Sequence, residues 1–267
     1  MKIALIGAGV MGESLLAGIL RSGVAPTDVN IAEIRAERAS ELTQKYGVTC
    51  SDARTAVAGA DTVLLVVKPQ NIAEVLLDFA PAVNPNTLII SLAAGITTGV
   101  IEANLAQGQP VARVMPNTPS LVDQGMSGIS AGTNCSAEHL EQAVSLMNSV
   151  GKSVVIPEDL QDSLTAVSGS GPAYIFYVIE SMVAAAVDLG IDRAMATELV
   201  VQTVFGAASL IKQTGDEAQT LRERVSSPGG TTVAAIKTLD EHGVRDAFKA
   251  AMSAAQKRSK ELGQPTN

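Results

Sequence analysis

The sequence predicts an α/β protein in which an N-terminal doubly wound parallel sheet is followed by an all-α C-terminal domain. Three observations carry this. Short apolar runs such as Ile3-Ala4-Leu5-Ile6 and Thr62-Val63-Leu64-Leu65-Val66-Val67 read as strands buried on both faces. Helical patterns separate these runs through the first half of the chain. Beyond about Glu158 no strand is convincing, and the patterns become long, alanine-rich and helical.

The first strand passes directly into Gly7-Ala8-Gly9-Val10-Met11-Gly12, and Leu15, Leu16, Ile19 and Leu20 recur at helical spacing behind it. In a strand-turn-helix of this kind the first glycine permits the tight bend and the second lets the backbone approach a pyrophosphate. The third lets helix and strand pack closely, with the phosphate at the helix N-terminus. Glycines also mark ordinary turns, so context makes the signal specific. Here it reads as a Rossmann-type dinucleotide fingerprint, with Gly7, Gly9, Val10, Met11 and Gly12 as cofactor residues.

Val29-Asn30-Ile31-Ala32-Glu33 reads as the second strand, and Glu33 falls about 20 residues beyond Gly12, where an acidic side chain meets an adenosine ribose. A solvated strand-end carboxylate would look the same. Glu33 favours NAD by accepting from ribose hydroxyls, whereas Arg35 is placed to pair with a 2′-phosphate. Either NADH or NADPH therefore fits.

A charged helix from Ala36 to about Tyr46, a short strand near Val48 and a small helix from Asp52 follow. The run Thr62 to Val67 stops at Lys68-Pro69-Gln70, Thr87 to Ser91 stops at Ala93-Ala94-Gly95, and Val111 to Met115 stops at Pro116-Asn117-Thr118-Pro119. Ligands of open parallel sheets sit outside the C-terminal strand ends, so Lys68, Ala93, Asn117 and Thr118 become candidates for the nicotinamide half. Gly125 to Gly132 and Ser153 to Ile156 read as closing strands around a helix from Ser136 to Met147.

The second half reads as helices over Ala173 to Leu189, Asp192 to Gln213, Asp216 to Val225, Thr232 to Leu239 and Val244 to Glu261, with fraying from about Gly263. Between Ile175 and Val183 the apolar residues go nearly all round the helix, which must then be covered on every side. We expect a homodimer interface there.

Two loops carry further chemistry. Ser168-Gly169-Ser170-Gly171-Pro172-Ala173-Tyr174 enters the long helix, with Pro172 suited to a first helical turn. Ser226-Ser227-Pro228-Gly229-Gly230-Thr231-Thr232 enters another and offers backbone N–H groups, hydroxyls and a positive helix end to a small carboxylate. An ordinary capped helix start explains the same residues.

Composition narrows the field. At 267 residues and 27.4 kDa, with net charge −8, the chain is an unpromising partner for nucleic acid. Cys50 and Cys135 stand far apart in no metal-binding spacing, and read as small core hydrophobes. The first strand begins within three residues of Met1 and no apolar run approaches the ~20 residues of a membrane span, so we expect no signal peptide or anchor and a cytoplasmic protein. His139 and His242 lie in charged helical contexts, no catalytic triad can be assembled, and no carboxylate cluster suggests a metal. A ketone reductase needs an acid for its alkoxide. A protonated imine does not, because hydride transfer itself neutralises it.

With these motifs in hand, the chain resembles the pyrroline-5-carboxylate reductases over essentially its whole length. The resemblance rests on Gly7 to Gly12, Val67-Lys68-Pro69-Gln70, Arg113 to Pro119, Ser168 to Tyr174, and Leu221 to Glu241 around the Ser-Pro-Gly-Gly signature loop. It implies a dinucleotide-binding domain over 1–157 and a substrate-binding, dimerising helical domain over 158–267, with five dimers forming a decamer in many members. It implies that the imine lies against Ser227, Gly229, Gly230 and Thr231, with the Thr232 hydroxyl bonding the ring nitrogen as the catalytic contact. It extends the cofactor residues to Val67, Lys68, Pro69, Ala93 and Asn117, and implies that hydride passes to the imine carbon to give L-proline. The family commonly prefers NADPH, using small hydroxyl residues and a basic residue after the second strand; Glu33 departs from that pattern.

Two other readings fit the residues less well. A β-hydroxyacid dehydrogenase has a similar plan but needs a lysine a few residues into the helix after its second-domain glycine loop, where this chain has Ile175. A nucleotide-sensing protein that lost the reaction would have little use for the intact Gly229 to Thr232 loop.

Overall fold

The computed structural model describes residues 1–263; residues 264–267, on which the expected fraying falls, lie outside the described residues. By packing, the described residues divide into two compact units, 1–170 with 255–263, and 171–254.

The first unit is built on an eight-stranded sheet in the order β3-β2-β1-β4-β5-β6-β7-β8. Its elements are β1 (Ile3–Ile6), α1 (Val10–Arg21), β2 (Val29–Ala32), α2 (Ala36–Tyr46), β3 (Thr49–Cys50), α3 (Ala53–Val57), β4 (Thr62–Leu65), α4 (Ile72–Phe79), β5 (Leu88–Ser91), α5 (Thr98–Glu102), β6 (Val111–Met115), β7 (Gly125–Ala131), α6 (Ala137–Asn148), β8 (Gly151–Val155) and α7 (Gln161–Leu164). Strands β1 to β6 are mutually parallel; β7 turns back antiparallel to β6, and β8 runs parallel to β7. The closing strands are thus present but reversed. Hydrophobic periodicity sets which residues are buried and carries no strand direction.

Alternation along each strand sends side chains to two cores. Ile3, Leu5, Ile31, Leu64 and Ile90 pack with Leu15, Leu16 and Ile19 of α1, Leu42 of α2 and Met147 of α6. Ala4, Ile6, Val63, Leu65 and Ile89 pack on the other face with Val57, Ile72, Leu76, Phe79 and Ile101. Helix α4 is an addition to the elements expected from the sequence, and Ile72, Leu76 and Phe79 on it stand at helical spacing and are all buried. Cys50 and Cys135 are free and partly buried against the first core; burial pushes the Cys135 thiol up.

Residues Thr165–Gly169 form a π-helical turn. The second unit comprises α8 (Gly171–Asp188), α9 (Arg193–Thr214), α10 (Ala218–Arg224), α11 (Thr231–Glu241) and the start of α12 (Val244–Leu262), whose residues from Ala255 belong to the first unit. Its internal core is small: Val183, Ala196 and Val200 are buried, with Ile179, Val187 and Val204 against them. Phe176, Tyr177 and Phe205 stay 57%, 71% and 64% exposed. Aromatic area of this size left in water calls for a covering surface.

Candidate active site

The reversal of strand order lies where β1 is flanked by β2 and β4, which is where an open α/β sheet binds its ligand. The backbone opens a turn there. Gly7 adopts φ +89°, and a Cβ on it would stand 2.5 Å from the Val66 carbonyl oxygen. A Cβ on Gly12 would stand 2.3 Å from the Gly7 carbonyl oxygen, so the head of α1 can lie against the turn only as glycine. Around Gly9, by contrast, nothing lies within 4 Å of where a Cβ would be. Gly9 is also the N-cap of α1 and supplies no side-chain acceptor. The first amides of this twelve-residue helix therefore face an open space suited to a pyrophosphate.

A cleft of about 1080 Å³ extends from this turn and is lined by Gly7, Gly9, Glu33, Arg35, Val67 and Lys68 among others. Glu33 follows β2 directly, and its carboxylate is almost fully enclosed, with four N–H groups on its two oxygens. Oε1 accepts from the Arg35 amide at 3.0 Å and Arg35 Nε at 2.9 Å; Oε2 accepts from the Ala8 amide and from Arg35 Nη2, both at 3.2 Å. Burial works to raise the Glu33 pKa, but the bonds from Arg35 and Ala8 together hold it below the ordinary carboxylate value. Arg35 itself is 61% exposed at the mouth.

The helices bounding this site are tied by a second carboxylate. Glu13 of α1 accepts from Lys45 Nζ at 2.8 Å and Tyr46 Oη at 2.9 Å, and pairs with Arg38, whose Nε donates to the Ala8 carbonyl at 3.3 Å. Lys45 above all, against the opposing effect of burial and with help from Arg38 and Tyr46, lowers Glu13 to about 2.

Of the other sequence-derived candidates, Val10, Met11 and Gly12 form the first turn of α1, and Pro69 opens the 3₁₀ turn beside Lys68. Ala93, in the loop after β5, is buried in the core around Ile72 and Phe79. Asn117, after β6, uses both ends of its amide on protein: Oδ1 accepts from the Met126 amide at 2.8 Å, and Nδ2 donates to the Ser168 carbonyl and hydroxyl oxygens, each at 3.2 Å. Thr118 is exposed in the following turn. Ala93 and Asn117 do not line the cleft that holds Glu33, whereas Cys50, Ser51, Asp52 and Asn71, not singled out above, do. Ser51 and Asp52 follow β3, so the strand-end rule already applied to β4, β5 and β6 would have found them.

In the second unit, Gly229 takes φ +71° and turns the chain into α11, whose N-cap is Gly230 with no side-chain cap. The Gly230 amide donates to the Ser227 carbonyl at 2.9 Å, closing the turn. Among the described residues the hydroxyls of Ser227, Thr231 and Thr232 have no hydrogen-bond partner, while Ser226 Oγ is spent on the Arg222 carbonyl at 2.6 Å. The head of this eleven-residue helix thus keeps uncapped amides and idle hydroxyls, donors of the kind that a small anion accepts from. The histidines lie elsewhere: His139 caps α6 through its ring, and His242 is exposed at the end of α11.

A glycine turn at the switch point of a doubly wound sheet, followed along the chain by a helical unit, is the plan of the dinucleotide-dependent oxidoreductases. Residues 2–95 match the family described as NADP oxidoreductase, coenzyme F420-dependent, and residues 158–262 match pyrroline-5-carboxylate reductase dimerisation. A pyrroline-5-carboxylate reductase of Corynebacterium melassecola is 43% identical over 98% of both chains. The structure of a pyrroline-5-carboxylate reductase from Coxiella burnetii superposes with a TM-score of 0.94 at 36% identity, covering 99% of each chain. A Plasmodium falciparum pyrroline carboxylate reductase with NADP bound gives 0.87 at 27% identity, over 99% of this chain and 98% of that one. The chain belongs to the pyrroline-5-carboxylate reductase family.

Proposed function

We infer that the protein reduces 1-pyrroline-5-carboxylate to L-proline, the last step of proline biosynthesis, with NAD(P)H as donor, and we propose that each unit binds one reactant. The observation that carries the assignment of roles is the pair of uncapped helix ends, α1 behind Gly9 and α11 behind Gly230. The cofactor, when bound, supplies hydride. Gly7, Gly9, Val10, Met11 and Gly12 hold its pyrophosphate, Glu33 and Arg35 meet the adenosine ribose, and Val67, Lys68, Pro69, Ala93 and Asn117 extend the site toward the reacting end. At α11, the amides after Gly229 and Gly230 receive the substrate carboxylate with the Ser227 and Thr231 hydroxyls. Thr232 Oγ1 bonds the ring nitrogen and fixes the C=N plane.

Chemically this suffices. Hydride adds to the imine carbon of the protonated ring, the C=N π electrons move to nitrogen, and the product is a neutral secondary amine. No acid is required at the moment of transfer, which agrees with two histidines that serve as a helix cap and a surface residue. The protein's contribution is to bind, orient and exclude water.

Domains are drawn at 1–157 for the cofactor and 158–267 for substrate and dimerisation. The exposed Phe176, Tyr177 and Phe205 belong to a homodimer interface, and five dimers form a decamer. Stretches 158–188 and 193–214 are long and apolar enough by composition to cross a membrane, contrary to the expectation above. A dimer interface accounts for that character, because 158–262 matches a dimerisation family. Two free, partly buried cysteines suit a cytoplasmic location.

The test is loss of reduced-nicotinamide absorbance with pyrroline-5-carboxylate and either cofactor. Turnover with proline as product supports the reading; binding of nucleotide without turnover turns it toward a sensing role.

A further inference from the structure

The loop after β5, Leu92 to Thr97, leads into Thr98 at the head of α5 and is held at that end and midway by residues remote in sequence. At its far end, Glu158 accepts from the Thr98 amide at 2.8 Å and from Thr98 Oγ1 at 2.7 Å, and Arg113 Nη1 of β6 pairs with the same carboxylate at 3.3 Å. Arg113 is 5% exposed, so this is an enclosed, charge-assisted clamp. Midway along the loop, Gly95 takes φ +78° and lies against the last turn of α12. A Cβ on Gly95 would stand 3.3 Å from the Leu262 carbonyl and the Gly263 nitrogen, and a Cβ on Gly263 would stand 2.8 Å from the Gly95 carbonyl oxygen. Backbone therefore meets backbone with no room for a side chain on the helix side.

That end of α12 is itself anchored within the first unit. Ser259, which is buried, donates Oγ to Asp162 Oδ1 at 2.6 Å, and Gln256 Nε2 donates to Ser163 Oγ at 2.7 Å. The chain of contacts runs from α7 through Ser259 to Gly263 and on to Gly95, while Glu158, just ahead of α7, closes it at Thr98. The loop's own bonds near Gly95 are few and long: the Ala93 amide donates to Ser91 Oγ at 3.3 Å and the Ile96 amide reaches the Ala93 carbonyl at 3.4 Å. Ala93 itself is fixed by burial in the core around Ile72 and Phe79, so without the brace it is Ala94 and Gly95 that would lose a single conformation.

We propose that the last turn of α12, from Ser259, together with Gly263 just after it, is a positioning element that fixes Ala94 and Gly95, next to the buried Ala93, for hydride transfer. This rests on the reading that Ala93 lies at the reacting end of the cofactor. Ser259 and Gly263 act through the loop. A loop free to shift by an ångström lengthens the donor–acceptor distance while the pyrophosphate and ribose contacts, made elsewhere, persist. The expected signature is a fall in rate with little change in cofactor affinity.

The test compares Gly263→Val, which presses on the Gly95 carbonyl, with Ser259→Ala, which releases α12 from Asp162. In the ligand-free protein, hydrogen exchange over 92–98 is expected to speed up at least about fivefold, since that loop loses its local protection. In steady state kcat falls about 5- to 20-fold, with the Kd for NADPH within about threefold and a larger primary deuterium isotope effect from the 4-deuterated cofactor. Unchanged loop exchange in both variants overturns the brace. Faster exchange with unchanged kcat and isotope effect overturns its role in the reaction, and a rate loss that merely tracks a falling Tm assigns these residues to stability alone. Ala93→Val separates the two layers: a loss of kcat there with none from Gly263→Val overturns only the brace, whereas no effect of Ala93→Val overturns the placement of the loop itself.

Discussion

Arg35 grips the Glu33 carboxylate from two sides, Nε on Oε1 at 2.9 Å and Nη2 on Oε2 at 3.2 Å, so the acidic residue that would meet a ribose diol arrives already paired. With the Ala8 and Arg35 amides added, each carboxylate oxygen accepts two bonds and has little capacity left for ribose hydroxyls. The exposed guanidinium is then the group presented to the cleft mouth. Arg35→Ala would leave Glu33 as an unpaired negative charge, so the NADPH/NADH ratio of kcat/KM should fall by about 10- to 100-fold. Glu33→Ser should raise it by freeing Arg35 and removing the carboxylate. Equal losses with both cofactors in Arg35→Ala would reduce the pair to a brace of the cleft wall.

The Thr232 hydroxyl has no partner among the described residues, so its removal should cost the fold little. Thr232→Ala is expected to lower kcat/KM by roughly 10- to 100-fold, the loss of one hydrogen bond to a charged or charging group, with Tm nearly unchanged. A rate equal to that of the parent protein would take Thr232 out of the reaction.

Glu13 offers a prediction about acid stability. Its pKa is about 2 in the folded chain against an ordinary 4.5, so the folded state binds fewer protons between those values. Its contribution, no more than about 3 kcal/mol, is complete above the unfolded value and disappears as pH falls through the folded one. Urea titrations should show Glu13→Gln less stable at neutral pH, with the gap narrowing below about pH 4.5 and closed by about pH 2. A gap of constant size would mean that the Lys45, Tyr46 and Arg38 contacts act through packing.

These contacts also mark how far the sequence could be read. The glycine turn was legible because its three glycines lie within six residues, directly between a strand pattern and a helix pattern, although the Val66 carbonyl that crowds Gly7 is remote in sequence. The second-half helices were legible because their periodic patterns are long. Glu33 was legible as a site residue, but its saturation by Arg35 and Ala8 was not, because hydrogen-bond count depends on side-chain conformation. The reversal of β7 and β8 left no trace in alternation. Glu13 with Lys45, Thr98 with Glu158 and Gly95 with Gly263 join positions far apart in sequence, and no local pattern announces such pairs. Asn117 lay at the expected strand end, yet tertiary structure engages its amide with Met126 and Ser168.

Gly9 and Gly12 belong to one motif but should fail in different ways. A methyl on Gly12 meets the Gly7 carbonyl oxygen at 2.3 Å, a backbone atom that cannot step aside without unseating α1 from β1. Gly12→Ala is therefore expected to cost several kcal/mol, at the severe end for a point change, and to lower Tm and cofactor affinity together. A methyl on Gly9 meets nothing within 4 Å in the protein, so Gly9→Ala should melt within about 2 °C of the parent. It would stand where the pyrophosphate approaches the backbone, and the Kd for NAD(P)H should rise at least about tenfold. Calorimetry beside cofactor fluorescence titration separates the two. If Gly9→Ala binds nucleotide as tightly as the parent, the phosphates do not lie at the head of α1, and the cofactor assignment built on that turn falls.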